Sequence, residues 1–203
     1  MKLFRSGVLV ALLLISVAAA TAGPPKMEVS VAGDVLIPIG DWSNVVGVGF
    51  GGDAQFQYNF TPVIAGGVTL GYFTWGGKDV GGFETGGYSG LPLRVFGKYY
   101  FMPPSKKGVR VYGSAELGLF FGSSGDVEYT IPSPFPGVPA TTSTVSGASS
   151  TDFNYVLAVG AEYPVSADGR TKIVGNVRWD AIASSSSANN FGFRVGVQFG
   201  IGD

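Results

Sequence analysis

The chain has 203 residues, of which 13% are charged, 33 are glycine, none is cysteine or histidine, and the formal net charge is −1. That charged fraction is about half of the roughly 25% usual in soluble domains, and no basic patch recommends nucleic acid as a partner. Without histidine, Ser-His and Asp-His catalysis are excluded, and the absence of cysteine also removes disulfides and the usual zinc ligand sets.

The N-terminus carries Lys2 and Arg5, then an uncharged apolar run over 8–17, then Ala18-Ala19-Ala20-Thr21-Ala22. A basic start, a short apolar stretch and a small-residue end predict a secretory signal peptide over 1–22, cut before Gly23. The apolar run is too short to cross roughly 30 Å of hydrocarbon. The mature chain, 23–203, is a single domain by length. It keeps 11 of the 13 Lys and Arg and all 14 acids, a net charge of −3. No later apolar run reaches the roughly 18 residues of a spanning helix.

Eight segments read as strands: 28–39, 46–60, 63–75, 88–102, 109–121, 153–163, 171–182 and 191–201. The last is the clearest. In Phe191-Gly192-Phe193-Arg194-Val195-Gly196-Val197-Gln198-Phe199 every odd position is large and apolar, and every even one is Gly, Arg or Gln. Side chains alternate faces along a strand, so one face is wholly apolar. Crossing a membrane takes about 9–11 tilted residues, and each segment suffices. The third segment is ambiguous, because Phe73 and Trp75 fall on the opposite parity from Val68, Leu70 and Tyr72.

Connections alternate in length. Residues 61–62, 103–107 and 164–169 are tight turns, whereas 76–87, 122–152 and 183–190 are long and biased toward Gly, Ser and Thr. Only 40–45 is short on the long side. Short turns at one end and long loops at the other are expected of an outer-membrane β-barrel. The segment 123–151 is expected to be a mobile surface loop, too polar and proline-rich to pack.

The polar faces collect six acids, Glu28, Asp34, Asp53, Glu116, Glu162 and Asp180, and six bases, Arg94, Lys98, Arg110, Lys172, Arg178 and Arg194. An eight-stranded barrel has an interior just wide enough for side chains to fill, so these charges are expected to pair there. Arg178 is expected to pair across the lumen with Glu116 or Glu162. Aromatic residues gather toward the strand ends. Trp42, Phe121, Phe153, Tyr155, Trp179 and Phe191 lie toward the long loops, and Tyr58, Phe60, Tyr99, Phe101, Tyr163 and Phe199 toward the short turns. Two such girdles suit the headgroup levels of a bilayer.

The leader, the opening Val29-x-Val31-x-Gly33-x-Val35-x-Ile37-Pro38-Ile39-Gly40-Asp41 and the eight alternating strands resemble the small outer-membrane β-barrel domain family, the opacity-protein-like superfamily of Gram-negative bacteria. The resemblance covers the mature chain and implies an all-β, eight-stranded, antiparallel up-and-down transmembrane barrel in the outer membrane, in contact with its lipid. Such families usually end in an aromatic residue read by the assembly machinery. Here Phe199 is followed by Gly-Ile-Gly-Asp203. Members are scaffolds, surface antigens, adhesins or narrow channels. Known enzymes on small outer-membrane barrels resemble one another in using a catalytic histidine, which is missing here.

No catalytic, metal or cofactor site is therefore expected. Glycine pairs at 76–77, 81–82 and 86–87 lack the Lys-Ser/Thr ending of a phosphate loop. The favoured reading is a plugged barrel whose loops meet an extracellular ligand or host surface. A narrow channel or conduit for small or hydrophobic solutes is the alternative, and a soluble periplasmic ligand-binding barrel a lesser one. Balanced charges and Phe96, Tyr100 and Tyr112 on the luminal face favour the plug; Gly118, Gly160, Gly192 and Gly196 are read as leaving space. Oligomeric state is left open.

Overall fold

The protein is described here by a computed structural model, which covers residues 27–80, 83–102, 108–131, 141–183 and 188–201. The expected leader, 1–22, and the turn at 103–107 lie outside the described residues. The chain forms β1 (Met27–Ile39), a one-turn helix α1 (Trp42–Val45), β2 (Val46–Asn59), β3 (Ile64–Gly77), β4 (Asp79–Val80), β5 (Phe83–Glu84), β6 (Tyr88–Tyr100) and β7 (Arg110–Ser124). It continues with β8 (Val127–Ile131), β9 (Thr141–Val145), β10 (Ser149–Pro164), β11 (Thr171–Ala183) and β12 (Ala188–Gly200).

Eight of these close into an antiparallel barrel in the order β1-β12-β11-β10-β7-β6-β3-β2. Apart from the β1–β12 closure, each barrel strand pairs with its neighbours in the chain order of the ring, an up-and-down arrangement that leaves no open edge. The seam is an unbroken ladder from Glu28↔Gly200 to Ile39↔Asn189. Among the described residues no helix is long and apolar enough to cross a membrane; the barrel strands, of 13 to 16 residues, are long enough.

The barrel is inverted relative to a water-soluble domain. Val31, Val95, Val159 and Val195 point outward and are each 60–66% exposed. On the same strands Glu28, Asp34, Arg94, Lys98, Glu162 and Arg194 are buried. Sequence periodicity causes this directly, because period-two alternation places all members of one parity on one face.

The third strand resolves without a bulge. Its ladder to β6 keeps one register from Ile64↔Tyr99 to Trp75↔Tyr88. Phe73 and Trp75 therefore point into the lumen, while Val68, Leu70 and Tyr72 point out. The irregularity lies in β2 instead, where the register to β3 shifts between Val46 and Gly49 and turns Val46 inward.

The short-turn end is tightly built. Thr61 Oγ1 accepts from the N–H groups of Val63 and Ile64. In the 164–170 turn, Gly169 has φ 73°, a left-handed conformation that costs glycine least. Asp168 there accepts from the Ser166 hydroxyl and the Arg170 N–H, which hold its carboxyl below the ordinary range. The long-loop end departs from expectation. β7 runs on to Ser124, β10 begins at Ser149, and between them β8 and β9 pair from Val127↔Val145 to Ile131↔Thr141. The polar, β-branched run 141–145 needs no apolar core for this, since ladder hydrogen bonds satisfy its backbone. β4 and β5 make a smaller hairpin within 76–87, and β12 shortens the 183–190 loop by starting at Ala188.

Candidate functional site in the barrel lumen

All twelve charges expected on the polar faces point into the lumen, where they fall into two layers along the barrel axis. The layer near the short turns holds Glu28, Glu162, Lys98, Arg110 and Lys172. Glu162 faces Lys98 at 3.1 Å, Lys172 at 3.4 Å and Arg110 at 4.0 Å, and accepts from the Tyr100 hydroxyl at 2.6 Å. Glu28 lies 2.5 Å from Lys172 and also accepts from the amides of Gln57, Asn59 and Gln198. Aromatic faces complete the layer: Lys98 Nζ lies 4.4 Å from the Tyr112 ring centroid, and the Arg110 guanidinium 3.5 Å from that of Tyr100.

The middle layer holds Asp34, Asp53, Glu116, Asp180, Arg94, Arg178 and Arg194. Arg94 bridges Glu116 at 3.0 Å and Asp180 at 3.1 Å, and donates to Asn154 Oδ1 at 3.0 Å. Arg194 grips Asp53 with two nitrogens, at 2.6 and 3.0 Å. Arg178 differs from expectation. Its partners are Asp34 at 3.0 Å, Asp53 at 3.5 Å and Asp180 at 3.9 Å, whereas Glu116 belongs to Arg94 and Glu162 to the lower layer. The lower layer has three bases to two acids and the middle three bases to four, so each layer nearly neutralises itself. Stranding one of these buried charges would cost several kcal/mol.

A third layer, beyond the sequence expectation, lies at the long-loop end. Leu36, Val46, Phe73, Trp75, Phe120, Ile182 and Ala188 form a buried apolar cluster inside the mouth. Phe73 is its floor, with the Arg178 and Arg94 guanidinium groups 5.3 and 5.9 Å from its ring centroid. Trp75 packs 6.0 Å from Phe120 and 5.9 Å from Tyr88, and donates from Nε1 to Asn190 Oδ1 at 3.1 Å. The parity of Phe73 and Trp75 is the sequence signal for this layer.

The inward glycines are occupied ground. A Cβ on Gly160 would lie 2.6 Å from the Tyr112 hydroxyl, and one on Gly192 would lie 2.7 Å from Leu36 Cδ2 and 3.1 Å from Arg178 Cγ. Gly118 is pressed against the backbone of Leu93 and Arg94, and Gly196 against Ala32. Among the described residues, no group of three or more His, Cys, Asp or Glu could hold a metal ion.

No family model and no curated protein matches the chain. Solved structures do. Neisserial surface protein A aligns at 13% identity over 88% of this chain and 100% of its own, with TM-score 0.58. OprG from Pseudomonas aeruginosa aligns at 9% identity over 90% and 98%, also at 0.58. A major outer membrane protein from Thermus thermophilus aligns at 18% over 88% and 100%, at 0.56. The chain has the fold of a small outer-membrane β-barrel.

On the outer face of this outer-membrane-type barrel, the expected girdle residues are mostly exposed. Phe121, Phe153, Trp179 and Phe191 ring one end; Tyr99, Phe101, Tyr163 and Phe199 ring the other. Tyr155 is half-buried edge-on against Trp179, and Phe60 half-buried beside Tyr58 and over Gly66. Trp42 is the departure. Helix α1 turns it over the mouth, where its ring lies 5.3 Å from Tyr88 and 6.4 Å from Trp75, so it caps the lumen instead of facing outward.

Proposed function

We propose that this chain is an integral barrel of the outer membrane, exported by the segment 1–22, with a lumen sealed by its own side chains. Its task is structural and recognitional, presenting the β4–β5 and β8–β9 hairpins above a rigid support. The stacking of two nearly neutral charge layers beneath an aromatic layer supports the seal, since a conducting pore is better served by one charge sign and small side chains. The exposed outer apolar face with its two aromatic rings supports the lipid contact. No catalytic group is assigned.

Ion conductance of the refolded mature chain in a planar bilayer tests the seal, after a heat-modifiable gel shift has established folding. A folded, silent barrel is the expected result. Reproducible, salt-dependent channel steps would overturn the seal and make Arg94, Arg110, Arg178 and Glu116 the candidate selectivity residues.

A further inference from the structure

We propose that the recess at the mouth of the barrel binds a small organic cation with an apolar body, an ammonium carrying alkyl or aryl groups. Its volume is about 370 Å³, within the range of about 300–1,000 Å³ common to small-molecule sites. Val46, Ile182 and Ala188 form the apolar floor. Trp42 and Tyr88 form the walls, their rings set at 87° to each other. The two rings meet edge to face with centroids 5.3 Å apart, and an indole lining a recess attracts cations best among the aromatic side chains.

Asp152 supplies the charge on the rim. It stands on the inner-facing parity of β10, opposite Phe120 in the ladder to β7. The Ser150 hydroxyl donates to its Oδ2 at 2.6 Å, which fixes the carboxylate at the recess. The wider mouth has the same sign. Residues 40–45, 76–87, 122–152 and 183–190 carry Asp41, Asp79, Glu84, Asp126, Glu128 and Asp152 against the single base Lys78. The Lys78 ammonium is engaged by the Ser43 carbonyl at 2.6 Å. The luminal Arg94 and Arg178 stand at the Phe73 ring that floors the apolar layer. A low-dielectric recess under a rim of one sign concentrates the opposite charge.

The lining side chains belong to the inner face and the mouth segments, so entry runs along the barrel axis. That selects a free solute over a headgroup still anchored in a bilayer. The inference rests on the outer-membrane reading only for which compartment the mouth faces.

The test is calorimetric titration of the folded barrel in maltoside micelles, which carry no ammonium. The probe is benzyltrimethylammonium, with benzyl alcohol and benzenesulfonate as uncharged and anionic controls. Saturable one-to-one binding of the ammonium is expected, weakened at least about tenfold in Asp152→Asn and by added salt. Trp42→Leu should weaken it as well, with both variants retaining the gel shift of the folded barrel. Equal binding of benzyl alcohol, or unchanged affinity in Asp152→Asn, would overturn the cation site. Competition by micellar phosphatidylcholine as strong as by the free ammonium would overturn the free-solute reading. A folded, silent barrel that binds none of the probes retires this site and leaves the sealed barrel standing; a conducting barrel that binds the cation does the reverse.

Discussion

Arg194 reaches across the whole width of β1 to hold Asp53: its Nε lies 3.0 Å from both carboxylate oxygens and its Nη2 2.6 Å from Oδ1. Arg194 is opposite Asp34 at the β1–β12 seam, and Asp53 is opposite Ala32 on the other side of β1. Ala32 is small enough to lie beneath the fork, and Ser30 Oγ receives a further bond at 3.2 Å. Arg178 makes the parallel crossing. It starts on β11, runs over Gly192 of β12, and meets Asp34 on β1. Two guanidinium groups thus fasten the strands on either side of the closure, where the first and last barrel strands must find each other late in the chain.

Arg194→Ala should destabilise the barrel by about 3–5 kcal/mol, because Asp53 is left buried with a weaker partner. Asp53→Ala should cost a similar amount, and the double variant much less than the sum. Urea unfolding of the four proteins in lipid vesicles measures the cycle. Additive losses would mean that the fork contributes no coupling at the seam.

Arg94 stands between two carboxylates, so its removal takes the guanidinium from Glu116 and leaves Asp180 with the more distant Arg178 at 3.9 Å. Arg94→Met should be among the most damaging luminal changes. Adding Glu116→Gln and Asp180→Asn to Arg94→Met should recover much of the loss, since the carboxylates are then neutral. Urea midpoints of the single and triple variants decide this. A triple variant weaker than the single would show that packing, not charge, governs the site.

Leu117 lies halfway along β7 on the outer face and is 52% exposed. In a bilayer, Leu117→Arg should cost about 2–4 kcal/mol, as expected for a cation near the membrane midplane. A soluble barrel would tolerate the same change at a solvent-facing position. Unfolding in vesicles reads the difference, and no loss would count against lipid contact at this face.

Gly160→Ala places a methyl group against the Tyr112 hydroxyl and the Gly175 carbonyl. The expected loss is about 1–3 kcal/mol from overpacking. If the glycine were instead a gap in the lumen, alanine would fill it and raise the unfolding midpoint.

Much of this is legible in the sequence because it is local. Alternation along 191–199 assigns Phe191, Phe193, Val195, Val197 and Phe199 to one face and Arg194 to the other, whatever the neighbours are. The same logic places Glu116, Arg178 and Asp180 inside. Partner choice is different. Arg178 meets Asp34 and Asp53, not Glu116 or Glu162, because strand tilt and stagger around the closed ring decide which residues share a level. Phe73 and Trp75 look out of place by hydrophobicity alone, and make sense only once Leu36, Phe120, Tyr88 and Ile182 from other strands converge on them.

By itself the sequence determined the number of long strands, the inward set of charges, the outward apolar face and the alternation of turns with loops, since each follows from periodicity and turn chemistry along a single stretch. The tertiary structure alone decided the pairing within the charge network, the aromatic layer, the inward turn of Trp42, the hairpin in 122–152 and the filling of the inward glycines. These depend on contacts between residues far apart in the chain, such as Asp53 and Arg194. Such contacts exist only after the strands have closed into a ring of defined tilt and register.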